Sequence, residues 1–349
     1  MKFNEFRKAV AARPAFPAEQ AELLGLVGIT ADRTALPVIV TPNQPLDVAA
    51  WLAAAAPTVN DMIDRHGALL FRGFRLNGAA DMERCVRALI GEPMDYRENT
   101  SPRTPVRGKI HTSTDYPAAE SILLHNEHSY SRIFPMRLFF QCVTPAPGGG
   151  CTPIADCGRL LRRIDPAIVR RFAERGWLYV RNFVPGIGQT WQTVYRHTER
   201  DALEAHFREA DIGWEWTRGN LRTRILRPTQ ARHPRTAELS WLNHVLFWNS
   251  SSLDPDLRTL MLAEFGAAGL PHDTYYGDGS AIEAGVLDEL RGAYREECRR
   301  FDWQAGDLLV LDNMKVAHGR DPYSGPREIL FAMGQPFDRR GSDGWIEGA

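Results

Sequence analysis

The sequence predicts a mainly β fold with flanking helices, of the double-stranded β-helix or jelly-roll kind. Many short apolar segments alternate with amphipathic helices along the 349 residues. Three side chains suited to binding one metal ion, His125, Glu127 and His318, lie far apart in the chain and can meet only inside one core. A single domain spanning 1–349 is therefore predicted, with its core at about 65–337 and an N-terminal extension at 1–45.

The first part of the chain contains a candidate edge strand, VGITADRTALPVIVTP, followed by two predicted helices that end at Pro57 and Gly67. GALLFRGF is typical of a short buried strand. AADMERCVRALIG has apolar residues at helical spacing. The stretch from Pro93 to Pro117 is polar and has no clear period. Because long irregular segments in compact domains are often functional, this stretch is predicted to form part of the site wall.

The second part has the same mixed character. The strand candidates are RLFFQCVTP, WLYVRNFV, LRTRILRPT and LSWLNHVLFW. The helix candidates are GRLLRRIDPAIVRRFAERG (one helix or a pair), DALEAHFREA, DPDLRTLMLAEFG and AIEAGVLDELRGAYREEC. The last two strands carry His318 and Arg327. A dinucleotide-binding fold is not indicated, because the helix and the acidic residue that should follow the glycines at 148–150 do not fit its fingerprint.

A metal site is predicted from LLHNEHSY and LLVLDNMKVAHGR. Residues i and i+2 of a strand project from the same face, so His125 and Glu127 could reach one ion. Two histidines and one carboxylate form the facial triad of non-haem Fe(II) oxygenases. HNEH alone could equally be a solvated strand end. His318, placed at the end of a fully apolar strand, favours the metal site.

Arg327 and Thr152 extend this prediction. Arg327 opens the apolar strand EILFAM. A buried arginine requires an anion, and its planar fork suits a carboxylate. Thr152 lies in PAPGGGCTPIAD, 27 residues after His125.

At these residues the chain resembles the taurine dioxygenase-like (TauD/TfdA) family of Fe(II)/2-oxoglutarate-dependent oxygenases. It is most similar to the SyrP-like branch of natural-product amino-acid hydroxylases. The strings that carry the resemblance run in family order over about residues 65–337: STDYPAAESILLHNEHSYS, PAPGGGCTPIADC, HPRTAELSWLN, YGDGSAIE and FDWQAGDLLVLDNMKVAHGRDPYSGPREILFAM. The resemblance implies a clavaminate synthase-like jelly roll. It also implies that His125, Glu127 and His318 bind iron and that Thr152 and Arg327 bind 2-oxoglutarate.

Two departures from the family pattern limit the chemistry. Glu127 stands where many members have aspartate, although the branch that this chain resembles often has glutamate. Phe331 stands where the taurine enzyme has a second arginine, which argues against a sulfonate substrate bound in that way. Related halogenases have a small residue in place of the carboxylate ligand, so Glu127 argues against halogenation.

The resemblance implies an enzyme that uses Fe(II), 2-oxoglutarate and O₂. It would hydroxylate an unactivated C–H of an amino acid or amino-acid derivative, free or presented on a peptidyl carrier protein, in a biosynthetic pathway. Desaturation or cyclisation would use the same ligands. Other classes left open are a non-catalytic ligand-binding jelly roll and a zinc hydrolase, which would give no reason for Arg327. The oligomeric state cannot be read from the sequence.

Several further residues are considered for roles in or near the predicted metal site. The candidates for substrate contacts flank the two motifs: Ser113, Tyr116, Asn126, Ser129, Arg132 and Arg320. The alternative for Arg320 is an ion pair with Asp321 or Asp338. Asn313 either orients the metal site or caps a turn. The residues expected to be structural are His111, His233, His244, His272, Trp241, Phe247 and Trp248, with His244 the most suited of them to line the site.

The composition is that of an ordinary globular protein, with 44% hydrophobic and 24% charged residues. Lys+Arg is 42 and Asp+Glu is 43, so no nucleic-acid footprint is indicated. The five cysteines form no C-x-x-C pair, which predicts neither a zinc site nor a disulfide framework. Free cysteines with Fe(II) fit a reducing cytoplasm. Neither a signal peptide nor a membrane span is predicted.

Overall fold

The computed structural model describes residues 18–30, 36–95, 103–217 and 219–340. The strands are β1 (Val27–Thr30), β2 (Val38–Pro42), β3 (Ala68–Phe71), β4 (Pro105–Arg107), β5 (Ile110–Thr112), β6 (Ile122–His125), β7 (Ile133–Thr144), β8 (Gly148–Gly149), β9 (Ile154–Asp156), β10 (Trp177–Phe183), β11 (Gly213–Thr217), β12 (Asn220–Arg227), β13 (Gln230–Arg232), β14 (Leu239–Trp241), β15 (His272–Tyr276), β16 (Leu308–Asp312), β17 (Val316–Arg320), β18 (Tyr323–Ser324) and β19 (Glu328–Asp338).

The helices flank these strands. They are α1 (Ala18–Gly25), α2 (Val48–His66), α3 (Gly78–Ile90), α4 (Cys157–Arg163), α5 (Pro166–Arg175), α6 (Trp191–Tyr195), α7 (Arg200–Ala210), α8 (Val245–Trp248), α9 (Pro255–Gly269, interrupted by non-helical backbone at Gly266) and α10 (Ala284–Glu297), with a 3₁₀ turn at Ser250–Ser252. Among the described residues, no helix combines the length and the apolar character needed to span a membrane.

The main sheet contains eight strands in the order β1-β2-β3-β16-β7-β19-β5-β4. Its neighbours are antiparallel except for β2 and β3. A small sheet, β6-β17-β9, faces it, and a four-stranded sheet, β11-β12-β10-β15, lies in the insertion between the two metal-site motifs. This mainly β arrangement confirms the predicted jelly-roll fold.

Strand β16 shows how the sequence builds these layers. All five of its residues, LLVLD, are buried. Leu308 and Val310 pack in a cluster with α2 and α3, whereas Leu309 and Leu311 pack in a cluster with residues of β9 and β17. Because side chains alternate across a strand, an apolar run with both faces covered is expected at this central position.

Helix α2 corrects the prediction of two helices meeting at Pro57. It is one helix from Val48 to His66 with Pro57 inside it. A proline within a helix removes a hydrogen bond. However, Trp51 and Leu52 before it and Val59 after it are buried in the same core cluster, so packing offsets that loss. The predicted end at Gly67 is confirmed, where φ of +81° closes the helix.

Three other predicted segments differ in detail. The candidate edge strand forms two strands, β1 and β2, at one edge of the main sheet, and residues 31–35 lie outside the described residues. LSWLNHVLFW is strand only at β14 and continues into helix α8, and the Asn243 side chain accepts a hydrogen bond from Val245 N at 3.1 Å in the turn between them. In the stretch from Pro93 to Pro117, residues 96–102 are not described, and β4 and β5 pair at the edge of the main sheet.

Candidate active site

Two predicted metal ligands face each other across the small sheet. In the antiparallel pairing of β6 with β17, His318 lies directly opposite His125. Their ring centroids are 4.5 Å apart. The Nδ1 of His125 lies 2.8 Å from the carbonyl oxygen of Leu123, which can only accept a hydrogen bond. Nδ1 therefore carries the proton, and Nε2 keeps a lone pair for an ion.

Glu127 completes the group but does not lie on the strand. Strand β6 ends at His125, and Glu127 lies in the turn that follows, so the predicted i and i+2 strand geometry is wrong. The chain reverses at His128, a non-glycine residue with φ of +56°. Glu127 Oε2 still lies 3.8 Å from the Nε2 atoms of both His125 and His318. These three donors could hold one divalent ion.

The turn that carries Glu127 is held by Asn313. The Glu127 N–H donates to Asn313 Oδ1, and Asn313 Nδ2 donates back to the Glu127 carbonyl, both at 2.8 Å. Asn126 Nδ2 also donates to the Asn313 carbonyl at 2.7 Å. Of the two roles considered for Asn313, the structure therefore favours orientation of the site.

The electrostatics of the triad suit metal binding. Burial alone would raise the pKa of Glu127, but the Arg103 guanidinium and the His125 and His128 imidazoles together hold that pKa well below its usual value. Burial, assisted by the neighbouring His125, lowers the pKa of His318 well below its usual value. At neutral pH, Glu127 is thus ionised and His318 is neutral, which are the forms that coordinate metals.

A cavity connects the two histidines of the triad with Arg327, and we call it the cosubstrate cavity. Its lining residues are Arg103, Ser113, Thr114, Ile122, His125, Phe140, Thr152, His318, Gly319, Arg320, Arg327 and Ile329. Arg327 Nε donates to the Gly150 carbonyl at 3.0 Å, and Nη1 lies 3.5 Å from Ser113 Oγ. Among the described residues, no carboxylate lies within ion-pair distance of Arg327. Burial, followed by repulsion from Arg320, lowers the Arg327 pKa to about 10.

Thr152 and Gly150 shape the same cavity. Thr152 is 3% exposed, and its hydroxyl accepts a hydrogen bond from Trp303 Nε1 at 3.0 Å. A Cβ on Gly150 would lie only 3.0 Å from the Arg327 side chain, and φ is +73° at this position. Glycine is therefore required for the backbone to approach the guanidinium. A partly buried cation in a cavity that is also lined by the Ser113 and Thr152 side chains fits the distal carboxylate of 2-oxoglutarate.

The chain matches the family model described as "Taurine catabolism dioxygenase TauD, TfdA family" over residues 33–333. The chain belongs to the TauD/TfdA family. It is therefore an Fe(II)/2-oxoglutarate-dependent dioxygenase, with Fe(II) as its metal and 2-oxoglutarate and O₂ as its cosubstrates.

Two curated relatives cover most of this TauD/TfdA chain. The "Dapdiamide synthesis protein DdaC" of Enterobacter agglomerans is 34% identical over 279 residues, which is 80% of this chain and 85% of that protein. A "Clavaminate synthase-like protein" of Arabidopsis thaliana is 28% identical over 291 residues, covering 79% of this chain and 83% of the relative.

Two solved structures have the same fold as this chain. "PvcB, an Fe, alpha-ketoglutarate dependent oxygenase from an isonitrile synthetic pathway" matches with a TM-score of 0.53 and 18% identity, over 92% of this chain and 94% of its own. AAD-2 in complex with Mn(II) and N-oxalylglycine matches with a TM-score of 0.51 and 14% identity, over 88% and 96% of the two chains. At these identities, the likeness shows the fold alone.

A second cavity lies beside the triad of this TauD/TfdA chain, and we call it the aromatic cavity. Its lining residues are Arg103, Thr114, Ile122, His125, Glu127, His128, Tyr130, His244, Phe247 and Trp248. The Phe247 ring centroid is 4.6 Å from that of His125. Phe247 and Trp248 were predicted to be structural, yet both line this cavity. The same holds for His244, the lone histidine considered most suited to the site.

Two of the predicted substrate contacts lie near the site. Ser113 lines the cosubstrate cavity beside Arg327. Ser129 is buried, and its Oγ lies 2.5 Å from Nδ1 of His244, so it contacts a wall residue of the aromatic cavity.

Three others face away from both cavities. Asn126 is fully buried and directs its amide to the Asn313 carbonyl. Tyr116 is 47% exposed and lines neither cavity. Arg132 is held by the Asp338 carboxylate, with Nε donating at 2.9 Å, so that its charge is already compensated.

Arg320 lines the cosubstrate cavity, but its guanidinium already donates hydrogen bonds within the protein. It donates hydrogen bonds to three backbone carbonyls, those of Tyr116, Pro117 and Glu120. Neither ion pair considered for it is formed, because Asp321 pairs with Arg300 at 2.7 Å and Asp338 pairs with Arg132. Burial lowers the pKa of Arg320.

Arg103 is the main residue of the site that was not predicted. Its side chain is 4% exposed, and Nη2 lies 3.1 Å from Glu127 Oε2. It comes from the irregular stretch expected to form the site wall, and that expectation is confirmed for Arg103, Ser113 and Thr114. Arg103 has no periodic neighbours in the sequence that would indicate where its side chain points.

A second group of potential ligands, Asp64, His233 and Asp312, is a buried ion network. Arg137 is fully buried and donates to both carboxylates, at 2.6 Å to Asp312. His233 Nε2 lies 2.9 Å from Asp312 Oδ2. The guanidinium already supplies the positive charge here, so His233 is structural, as predicted.

Proposed function

We propose that His125, Glu127 and His318 hold Fe(II), and that Arg327 and Thr152 hold 2-oxoglutarate in the cosubstrate cavity. The observation that carries this assignment is the cavity itself, which joins His125 and His318, two of the three convergent donors, to the partly buried Arg327. Within the described residues, no carboxylate compensates that arginine. A charge withdrawn from water without a counterion is unfavourable, so this cavity favours an anionic ligand.

The further proposal is that the enzyme hydroxylates an unactivated C–H of an amino acid or amino-acid derivative in a biosynthetic pathway. Its support is the relative named for dapdiamide synthesis. Desaturation and cyclisation would use the same ligands. When bound, the iron with 2-oxoglutarate and O₂ supplies an oxidant able to break a C–H bond.

The chain's own residues have separate tasks in this reaction. His125, Glu127 and His318 would hold the ion through three protein donors. Arg327 orients 2-oxoglutarate from its distal end. The rings of Phe247 and Trp248 cover the aromatic cavity and limit the access of water beside the triad.

Metal binding tests the ligand assignment directly. The purified anaerobic protein should bind one equivalent of Fe(II), and 2-oxoglutarate should then produce a weak visible charge-transfer band. His318→Ala should lose metal affinity by more than the roughly 10- to 100-fold typical of outer-shell changes. The matched control is His197→Ala, a partly exposed histidine in contact with His206 rather than with the triad. Wild-type iron binding and turnover in His318→Ala would disprove the assignment.

Product analysis tests the reaction type. Candidate amino acids, free and carrier-bound, are incubated with the enzyme, Fe(II), 2-oxoglutarate and O₂. The masses of the products are then measured by mass spectrometry. Hydroxylation adds one oxygen atom, whereas desaturation or cyclisation removes two hydrogens. A product with neither change, formed with stoichiometric consumption of 2-oxoglutarate, would contradict the proposal.

A further inference from the structure

A groove of about 660 Å³ lies between helix α10 and strands β6 and β17, a volume typical of small-molecule sites. We call it the arginine groove, because Arg291, Arg295, Arg300 and Arg320 line it. Asp321 is the only carboxylate among its lining residues, so four arginines against one aspartate give the lining a formal charge of +3. The whole chain has a net charge of −1. A cleft lined by one sign of charge attracts ions of the opposite sign.

The four arginines differ in their partners. Arg291 pairs with Asp288 at 2.8 Å, and Arg300 pairs with Asp321 at 2.7 Å. Arg295, which is exposed, makes no ion pair within the part of the chain that the structure describes. The two glutamates that follow it in α10 pair instead with arginines of α4. The charge of Arg295 is therefore available to a ligand in the groove.

Arg320 is a second cation without a carboxylate partner. It is 5% exposed, and its Nη atoms donate to three backbone carbonyls. Its Nε–H is buried and has no hydrogen-bond partner among the described residues. A buried donor without an acceptor is unfavourable, so an acceptor placed against Arg320 would be stabilised. This buried donor indicates a ligand site independently of the charge of the groove.

Part of the arginine groove is apolar. Ile122, Leu123 and Leu124 line it from β6, and Leu246 lines it from α8. Leu123 is 42% exposed. A hydrocarbon chain gains affinity by leaving water against such a surface. The groove thus suits a molecule that has both an anionic group and an apolar chain.

Ile122 connects the groove with the active site. Its side chain lines the arginine groove, the cosubstrate cavity and the aromatic cavity. Arg320 lines the groove and the cosubstrate cavity, but not the aromatic cavity. A molecule that reacts beside the triad can therefore extend past Ile122 and place its far end among the arginines.

We propose that the arginine groove binds the remote anionic end of the substrate, a carboxylate or phosphate on a chain that passes Ile122 to reach the aromatic cavity. This inference rests on the proposed function and narrows its substrate class to amino-acid derivatives that carry such a chain. The planar forks of Arg295 and Arg320 suit the oxygens of either anion.

The binding of small fragments tests the groove without turnover. The protein is loaded with Mn(II) and with N-oxalylglycine, which resembles 2-oxoglutarate and occupies the cosubstrate cavity under the proposed function. Calorimetry then measures the binding of hexyl phosphate, hexanoate and hexanol, and of ethyl phosphate and acetate as short-chain analogues of the two anions. The variants are Arg295→Gln and Leu123→Gln. The matched control is Arg224→Gln, an exposed arginine of β12 that lines neither the groove nor either cavity.

At least one of the two hexyl anions should bind wild type about 10-fold or more tightly than hexanol, as expected for hydrogen bonds to a charged group. Arg295→Gln should weaken the binding of that anion about 2- to 5-fold, the range for an exposed charge pair. Leu123→Gln should reduce the preference for the hexyl anion over its short-chain analogue. Arg224→Gln should bind every fragment as wild type does.

The orientation of the fragment is measured by NMR. Mn(II) is paramagnetic and shortens the relaxation times of nearby protons. The terminal methyl protons of the bound hexyl anion should relax faster than the protons of the methylene next to the anionic group, because the chain points past Ile122 toward the triad.

The proposal is overturned if neither hexyl anion binds more tightly than hexanol, or if Arg295→Gln binds the anion as wild type does. It is also overturned by an unchanged chain-length preference in Leu123→Gln, or by faster relaxation at the anionic end. If wild type binds no Mn(II) and N-oxalylglycine, the proposed function fails. Calorimetry of the same fragments with the metal-free protein and Arg295→Gln then still decides whether the groove binds an anion.

Discussion

The side chain of Asn313 and the backbone of Glu127 form a reciprocal pair of hydrogen bonds, each 2.8 Å long. Asn313 follows the last residue of β16, whereas Glu127 lies in a turn after β6. The pair thus attaches a proposed metal ligand to the central strand of the main sheet. Asn313 also donates to the Pro135 carbonyl at 2.8 Å, so one amide group ties three chain segments together.

Replacing Asn313 by alanine should weaken metal binding without removing a ligand. We expect the affinity for Fe(II) or Mn(II) to fall roughly 10- to 100-fold, the usual effect of losing an outer-shell partner. The buried Glu127 N–H would lose its acceptor, which costs about 1–3 kcal/mol of stability. Calorimetric metal titration and urea unfolding measure the two effects.

The control for this variant is Asn182→Ala. The Asn182 amide also donates to two backbone carbonyls, those of Ala268 and Leu270. Asn182 belongs to β10 of the four-stranded sheet, which contains none of the triad residues. It should lose stability and retain metal affinity. If Asn313→Ala loses only stability, then Asn313 supports the fold and does not position Glu127.

Arg327→Ala should raise the 2-oxoglutarate requirement strongly. Truncating one partner of a buried charge pair costs about 2–5 kcal/mol, or a rise in KM of roughly 30-fold or more. Thr152→Val should have a smaller effect in the same direction, because it removes one neutral hydrogen bond, worth about 0.5–1.5 kcal/mol. The readout is 2-oxoglutarate decarboxylation as a function of cosubstrate concentration.

Arg300→Ala is the matched control, since Arg300 is largely exposed and already paired with Asp321. Its KM for 2-oxoglutarate should equal that of wild type. An unchanged KM in Arg327→Ala would instead move the anchor elsewhere, with Arg320 as the next residue to test.

The main features of the site could be predicted because each belongs to a regular pattern. His318 follows the apolar strand β16, and Arg327 immediately precedes the apolar strand β19, so their approximate positions follow from periodicity. The structure places Glu127 close to His125 and His318, but in a turn rather than on the predicted strand, because the turn depends on Asn313, 186 residues away in the chain.

Arg103, Trp303 and Phe247 could not be placed in this way. Arg103 and Trp303 lie in irregular segments, where no periodicity assigns a face. Phe247 looked like a core residue, because an aromatic ring in an apolar run has the same sequence pattern whether it packs in a core or lines a cavity. Only the tertiary pairing of α8 with β6 distinguishes the two cases.

The reaction should give no chlorinated product, even at high chloride concentration. Glu127 Oε2 lies 3.8 Å from Nε2 of both histidines, and the family resemblance implies that a halide would need the position of this carboxylate. Chloride would have to displace a charged group that is covalently attached to the chain. Mass spectrometry of products formed in chloride and in chloride-free buffer tests this, and the isotope pattern of chlorine in either product would refute it.

The buried ion network around Asp312 should make the free energy of unfolding depend on pH in the acidic range. Burial alone would raise the Asp312 pKa, but His233 and Arg137 hold it below its ordinary value of 3.8. A carboxylate whose pKa is lower in the folded state stabilises the protein fully above the unfolded pKa, near 3.9, and loses that contribution as the pH falls through the folded value. Asp312→Asn should therefore cost about 3–5 kcal/mol at pH 7, as expected for breaking a buried ion pair.

The difference between wild type and Asp312→Asn should shrink only below about pH 4, where Asp312 accepts a proton in the unfolded chain before it does so in the folded protein. Urea unfolding of both proteins between about pH 7 and pH 3 measures this difference. Asp61→Asn, which changes an exposed carboxylate of α2, serves as the control and should track wild type at every pH. A constant difference between wild type and Asp312→Asn across this range would mean that the charge of Asp312 contributes nothing. Because asparagine keeps an oxygen that can accept from the backbone N–H groups of Met314 and Lys315, the cost would then reflect only the hydrogen bonds that Oδ2 makes with Arg137 and His233.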